Sequence, residues 1–322
     1  MTTLQAAITT YPHTAALKDG TVKVEGYDFD FSTELDPGTD PHSVPDVVWV
    51  FRTMSRELRW DVTEMGVTTA LLAKEYDAGF TPIPVFATRR FDHASISYNV
   101  NCISHPKDLE GKRIGMRSPN VPDVLWSLAV LKENFGVDLS ATEWVVTGDE
   151  HILAADARVV ERATLARGEN LQELVETGEV AAIMAPYRGT SPDVRPVFDD
   201  VPAASRDWYH THGYIPIHHA IVVKTDLLRA DPDLAQKLYD AFVAAKQPML
   251  DRIARGEDVV GEFSNPRHVW GVQTTQELLD PRDPLPYGIE ANRAALEALV
   301  RYAYEQGAIA KPYEIEELFA WS

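Results

Sequence analysis

The sequence predicts an α/β protein with largely parallel sheets. Short β-rich runs alternate with helical ones almost from end to end, and no internal repeat or long linker interrupts them. Two extended stretches, Ser95–Cys102 and Ile215–Val223, bracket a middle block of α/β units. If both are crossovers, residues 98–219 form one lobe, and residues 1–97 plus 220–322 form the other. A ligand is then expected in the cleft, near strand carboxyl ends and helix N-termini.

In chain order, Leu4–Thr9 reads as a buried strand, and Val24–Phe31 alternates as a strand at a sheet margin does. Val47–Leu58 has helical spacing, Asp61–Met65 is a short strand, and Thr68–Tyr76 is a helix. Pro82–Thr88 is extended, and Pro106–Gly111 turns the chain into a strand reaching Met116. Pro122–Phe135 is a helix with Pro122 near its first turn, where the missing N–H costs nothing. Glu143–Val146 and Val180–Met184 are strands on either side of the helix Asn170–Glu176, and Ala203–His212 is a helix. Asp231–Arg255 is a long helix for which Asp231-Pro232 suits the N-cap and first position. Pro281–Pro286 is a loop before the helix Gly288–Gln306.

Of 322 residues, 45% are hydrophobic and 25% charged, which is ordinary globular composition. The net charge of −19 argues against a nucleic-acid or anionic-membrane partner. An anionic small substrate would need a local basic pocket working against that field. The lone Cys102 excludes an intrachain disulfide framework and a cysteine-based structural zinc site. No apolar run approaches the roughly 18–20 residues of a membrane span, and the first residues lack a basic, apolar leader pattern. The expectation is a cytoplasmic protein, either a monomer or a homo-oligomer. No dinucleotide, P-loop or serine-hydrolase motif is present.

The phrase Asp108-Leu109-Glu110-Gly111-Lys112-Arg113-Ile114-Gly115 resembles the type 2 periplasmic-binding-protein superfamily, a two-lobed α/β clamshell with two crossovers. More specific phrases are Tyr11-Pro12-His13-Thr14, Trp60–Met65 followed by Thr68 and Thr69, Ile83–His93, Gly213–His219 and Pro286–Arg293. These resemble the 4,5-dihydroxyphthalate decarboxylase family, and they span essentially the whole chain. Pro12, Asp92 and His218 depart from its pattern, which has an aspartate, a basic residue and a hydrophobic residue there. The resemblance implies a decarboxylase of a hydroxylated aromatic acid, 4,5-dihydroxyphthalate to protocatechuate, in phthalate catabolism.

Such a reaction without an electron-sink cofactor has clear requirements. The ring carbon bearing the carboxylate is protonated first, a ring hydroxyl supplies electron density, and CO2 leaves second. The protein must therefore supply a general acid, a partner for the ionised phenol and a clamp for a spectator carboxylate. Histidine suits the first role and arginine the last.

His219, in an apolar strand at the second crossover, leads as the acid; His218 should point to the opposite face unless a bulge intervenes. His13, after the first strand, and His93, after the fourth, are the alternatives. Glu64, near a strand end, would orient a histidine or accept a phenol proton. Arg89 is the choice for the substrate carboxylate, with Arg188, Ser118 and Thr69 as further binding candidates. No cofactor or metal is expected. A divalent ion on His13, His93, His219 and Glu64 is the alternative, although no tight histidine spacing supports it.

Two other readings compete. One is the solute-binding protein of a transporter for an aromatic acid. The other is a different enzyme on the same fold, from the menaquinone or cysteine-rich thiamine-pyrimidine branches. Fold alone does not separate them.

Overall fold

Two separate sheets organise the chain. The computed structural model describes residues 2–34, 46–263 and 266–320. Strands β1 (Thr2–Ala7), β2 (Tyr27–Asp30), β3 (Val62–Gly66) and β4 (Phe80–Arg89) lie in the first unit. β5 (Ser97–Asn99), β6 (Arg113–Met116), β7 (Glu143–Val146), β8 (Ala163–Leu165), β9 (Ala182–Ile183) and β10 (Val194–Pro196) lie in the second, and β11 (Ile217–Lys224) returns to the first.

The first unit comprises the chain through Arg90, Ile217–Glu297 and the residues from Tyr313 on. The second comprises Phe91–Pro216 and Ala298–Pro312. The changeovers thus fall at 90/91 and 216/217, where the sequence suggested 97/98 and 219/220. The segment Ala298–Pro312 was expected with the first unit but packs with the second. Its Tyr302 ring meets Trp126 edge-on at 5.9 Å and its hydroxyl donates to Glu133 (2.9 Å), while Gln306 donates to the Leu125 carbonyl (3.0 Å).

The sheets are mixed rather than largely parallel. In the first, ordered β2-β1-β3-β11-β4, β1 runs parallel to β2 and β3, but β11 is antiparallel to both β3 and β4. In the second, ordered β10-β5-β9-β6-β7-β8, β6 runs parallel to β7 and β9, and β5 runs antiparallel to β9 and β10. The strands at the two changeovers, β5 and β11, supply the antiparallel pairs.

In the first unit Leu4, Ala6, Val62, Ile83, Val85, Ile221 and Val223 meet Leu234, Leu238 and Phe242 of the helix Leu234–Ala254. Burial of such apolar side chains contributes about 1.5–3 kcal/mol each. A second cluster, with Tyr11, Ala87, Met249, Phe263, Val272 and Leu285, lies beneath the site described below. In the second unit Val145, Leu174, Val175, Val180, Ile183 and Val194 form one buried apolar cluster.

The long helix starts at Leu234 with Asp233 as N-cap, two residues later than Asp231-Pro232 suggested. Asp231 is engaged elsewhere, accepting from Asp233 N (3.1 Å), Lys237 Nζ (2.8 Å) and the Tyr27 hydroxyl (2.8 Å). The helices Thr225–Ala230 and Pro266–Leu278 were not expected. In the latter, Thr274 and Thr275 hydroxyls donate back to the carbonyls of Trp270 (2.8 Å) and Gly271 (2.6 Å), so residues poor in helix propensity sit in the helix with their hydroxyls satisfied. Gly271 is required there, because a Cβ would collide with the Arg89 carbonyl oxygen on β4.

Candidate active site

β3 and β11 are hydrogen-bonded neighbours, with His219 paired to Gly66 and Ile221 to Glu64. Across β11, His219 also pairs with Thr88 of β4, and Ile217 with Arg89. Two residues of β11 thus oppose one of β4 at His218, a β-bulge. Further register shifts follow toward Ile221, where Pro82 and Pro84 of β4 lack the N–H that a regular ladder requires. β4 tolerates them because it is the edge strand.

The alignment brings His219 Nδ1 to 2.6 Å from Glu64 Oε1. The same oxygen accepts the Tyr11 hydroxyl (2.8 Å), and Oε2 accepts the Thr9 N–H (3.1 Å). Glu64 is 1% exposed and His219 8%. Burial alone would push the Glu64 carboxyl up. The His219 hydrogen bond and charge, with the Thr9 and Tyr11 donors, outweigh it and hold the pKa down at about 2. An ionised carboxylate only accepts, so the His219 Nδ1–H donates to it. Phe51 abuts the imidazole edge-on at 5.1 Å.

His13 is fully buried beside this pair. Its ring stacks on Tyr11 (5.0 Å, 6° between planes) and on Phe263 (5.9 Å), within reach of the Ala87 backbone. Burial pushes its pKa down to about 3 against the opposing pull of Glu64, so it is neutral near pH 7. It offers a hydrogen-bonding group rather than a resident acid.

Arg89 ends β4 and is buried. Its Nη2 donates to the Asn292 side-chain oxygen (2.6 Å) and the Pro286 carbonyl (3.0 Å), while Nε has no partner among the described residues. No carboxylate pairs with it among them. The nearby Asp283 is bound to Lys246 (2.7 Å), whose Nζ also donates to the Leu285 carbonyl (2.9 Å). Burial lowers the Arg89 pKa to about 10, against the pull of Asp283. Arg89, Lys246 and Asp283 therefore leave one net positive charge in a buried corner of an acidic protein. Thr69 is buried in the first turn of the helix Val67–Tyr76, whose N-cap Gly66 is the residue paired with His219.

The remaining candidates lie in the second unit. His93 is buried on the short turn His93–Ser95, among Phe91, Phe198 and Trp208, with Ser205 Oγ 3.4 Å from Nδ1. Burial, helped by His212, lowers its pKa to about 3. Arg188 is exposed, and its backbone N–H donates to Gln172 (2.7 Å). Ser118 was expected to donate to an anion, but its hydroxyl donates to Glu150 Oε1 (2.7 Å), which also accepts from Asn120 N (3.4 Å). The Ser118 hydroxyl is thus engaged by the chain's own Glu150, whose carboxyl burial pushes up. The alternative metal set also does not assemble in the first unit: among the described residues, His13, Glu64 and His219 do not gather three ligand atoms.

Two curated proteins align with the chain. A 4,5-dihydroxyphthalate decarboxylase of Comamonas testosteroni is 25% identical over 331 residues, covering 98% of this chain and 96% of that one. A 4,5-dihydroxyphthalate decarboxylase of Pseudomonas putida is 29% identical over 229 residues, covering 66% of this chain and 83% of that one. The chain resembles the 4,5-dihydroxyphthalate decarboxylases over its whole length.

No protein-family model matches the chain. Among solved structures it is similar to the periplasmic sulfonate-binding protein SsuA of Methylobacillus flagellatus (TM-score 0.54, 13% identity, 99% of this chain and 91% of that one). It is also similar to CA3427 of Candida albicans, described as having the generic periplasmic-binding-protein fold (TM-score 0.54, 12% identity, 98% and 93%), and to the desulfurization enzyme DszB (TM-score 0.50, 14% identity, 100% and 97%). The fold is therefore periplasmic-binding-protein-like, and it hosts binding proteins and an enzyme alike. No helix among the described residues is long and apolar enough to cross a membrane.

The decarboxylase-like phrases include residues to which the sequence reading gave no role. Tyr11 grips Glu64, and Asn292 holds Arg89. Their presence in the phrases Tyr11–Thr14 and Pro286–Arg293 was the available signal. Lys246 and Asp283 gave none.

Proposed function

We propose that this chain is a non-oxidative decarboxylase of a hydroxylated aromatic acid, converting 4,5-dihydroxyphthalate to protocatechuate and CO2 in phthalate catabolism. The observation that carries the reading is the buried Glu64–His219 pair, in a chain whose curated relatives are decarboxylases. Arg89 supports it as a buried cation with no carboxylate partner among the described residues.

Arg89 binds the retained carboxylate. His219, as imidazolium paired with Glu64, delivers the Nε2 proton to the ring carbon bearing the other carboxylate. The hydroxyl para to that carbon supplies the electron pair and gives up its proton. When CO2 departs, the C–C bonding pair restores the aromatic ring and the oxygen is reprotonated. One proton is consumed per turnover, and His219 regains it from solvent. Neutral His13 contributes a hydrogen bond to a ring hydroxyl. No cofactor or metal takes part.

Incubation with a panel of hydroxylated benzoates and phthalates, following CO2 and product, tests this. Turnover of ortho-dicarboxylates carrying a para hydroxyl is the expected result. Saturable binding of the whole panel without CO2 would instead identify a solute-binding protein, as its structural neighbour SsuA is described to be.

A further inference from the structure

The partners of Arg89 are both neutral. Its Nη2 donates to a peptide carbonyl, Pro286, and to the side-chain oxygen of Asn292. A buried guanidinium in a folded protein is ordinarily neutralised by a carboxylate, because an uncompensated buried charge is costly. The orientation of the Asn292 amide is fixed. Its Nδ2 donates to the carbonyls of Pro286 (3.0 Å) and Gly288 (2.7 Å), so only the oxygen can face Arg89. A flipped amide would oppose donor to donor and withdraw the Nδ2 donor from two carbonyls. Asn292 is 3% exposed and precedes the helix Arg293–Glu305.

We propose that Asn292 is a positioning and specificity-determining residue: it aims Arg89 while leaving its charge unspent for the ligand's carboxylate. The inference rests on the anion role of Arg89 given above. An aspartate at this position would offer the same oxygen but close an internal ion pair, and the site would lose its demand for an anion. Among the described residues, the carboxylate that acts on Arg89, Asp283, is already bound by Lys246.

Calorimetric titration with phthalate, a dicarboxylate without the hydroxyls that support turnover, reads this separately from catalysis. Wild type should bind phthalate. Asn292→Asp should bind it about 30-fold or more weakly, and Asn292→Ala, which keeps the charge but loosens its aim, about 3- to 10-fold more weakly. In an Arg89→Gln background, Asn292→Ala should have no further effect, since Asn292 acts only through Arg89. This cycle decides the matter if Asn292→Asp does not fold. Asn292→Asp binding within about threefold of wild type, or an additive cycle, overturns the proposal. A wild type that binds no aromatic carboxylate overturns the anion role of Arg89 itself, and this inference with it.

Discussion

His219 Nδ1 lies 2.6 Å from Glu64 Oε1, across a strand pair that joins residues 155 positions apart in sequence. Three donors converge on that carboxylate, and the His219 hydrogen bond and charge are foremost among the effects that hold it ionised against burial. The imidazole is thereby held by its Nδ1–H.

Glu64→Gln should remove the anion while nearly preserving shape. Turnover should fall by roughly two to four orders of magnitude, as for loss of general-acid function, with phthalate affinity changed less than about threefold. Steady-state kinetics beside calorimetry measure both. Unchanged turnover would remove Glu64 from the chemistry.

Arg89→Ala and His219→Ala should fail differently. Loss of the buried cation should weaken binding of the dicarboxylate by about 2–4 kcal/mol and also impair turnover through misplacement of the ring. His219→Ala should bind almost normally and turn over roughly 100- to 10,000-fold more slowly. A monocarboxylate analogue should discriminate far more against wild type than against Arg89→Ala.

Exhaustive chelation should leave turnover intact. Activity lost to a chelator and restored by one divalent ion would return His13, Glu64 and His219 to consideration as ligands.

Acid should destabilise the fold through two neutral, buried histidines. His13 and His93 have ordinary pKa values of 6.5 when unfolded and about 3 when folded. Between these values the unfolded chain holds more protons, so stability rises with pH through that window and is lost as pH falls. Each histidine should cost about 2 kcal/mol at pH 5 relative to pH 8. Melting curves from pH 8 to 5 for wild type and His93→Phe, which suits the surrounding rings, should show a smaller acid loss in the variant.

Gly271→Ala should force the helix Pro266–Leu278 away from the Arg89 carbonyl. A loss of roughly 1–3 kcal/mol in urea unfolding is expected, together with weaker phthalate binding. Wild-type stability would mean that the backbones separate freely.

The alternation of elements and the paired crossovers were legible because periodicity and turn chemistry are local. β8 and β10 were not, being three-residue strands with mostly exposed or half-exposed residues and no apolar run to mark them. Glu64, His219 and Arg89 were legible as chemical types within phrases, but their partners lay elsewhere. Tyr11, Asn292 and Lys246 are defined by contacts across 37 to 203 residues, which no local pattern encodes. Ser118, chosen by fold position alone, has its hydroxyl on Glu150, a partner 32 residues away that the local sequence does not point to.

The most direct measurement is the proton NMR spectrum of 4,5-dihydroxyphthalate incubated with the protein in D2O. The account predicts protocatechuate carrying one deuterium at the vacated ring carbon, with one CO2 per product and only background conversion by His219→Ala. An unchanged substrate spectrum under conditions where the same sample binds the ligand saturably would contradict it.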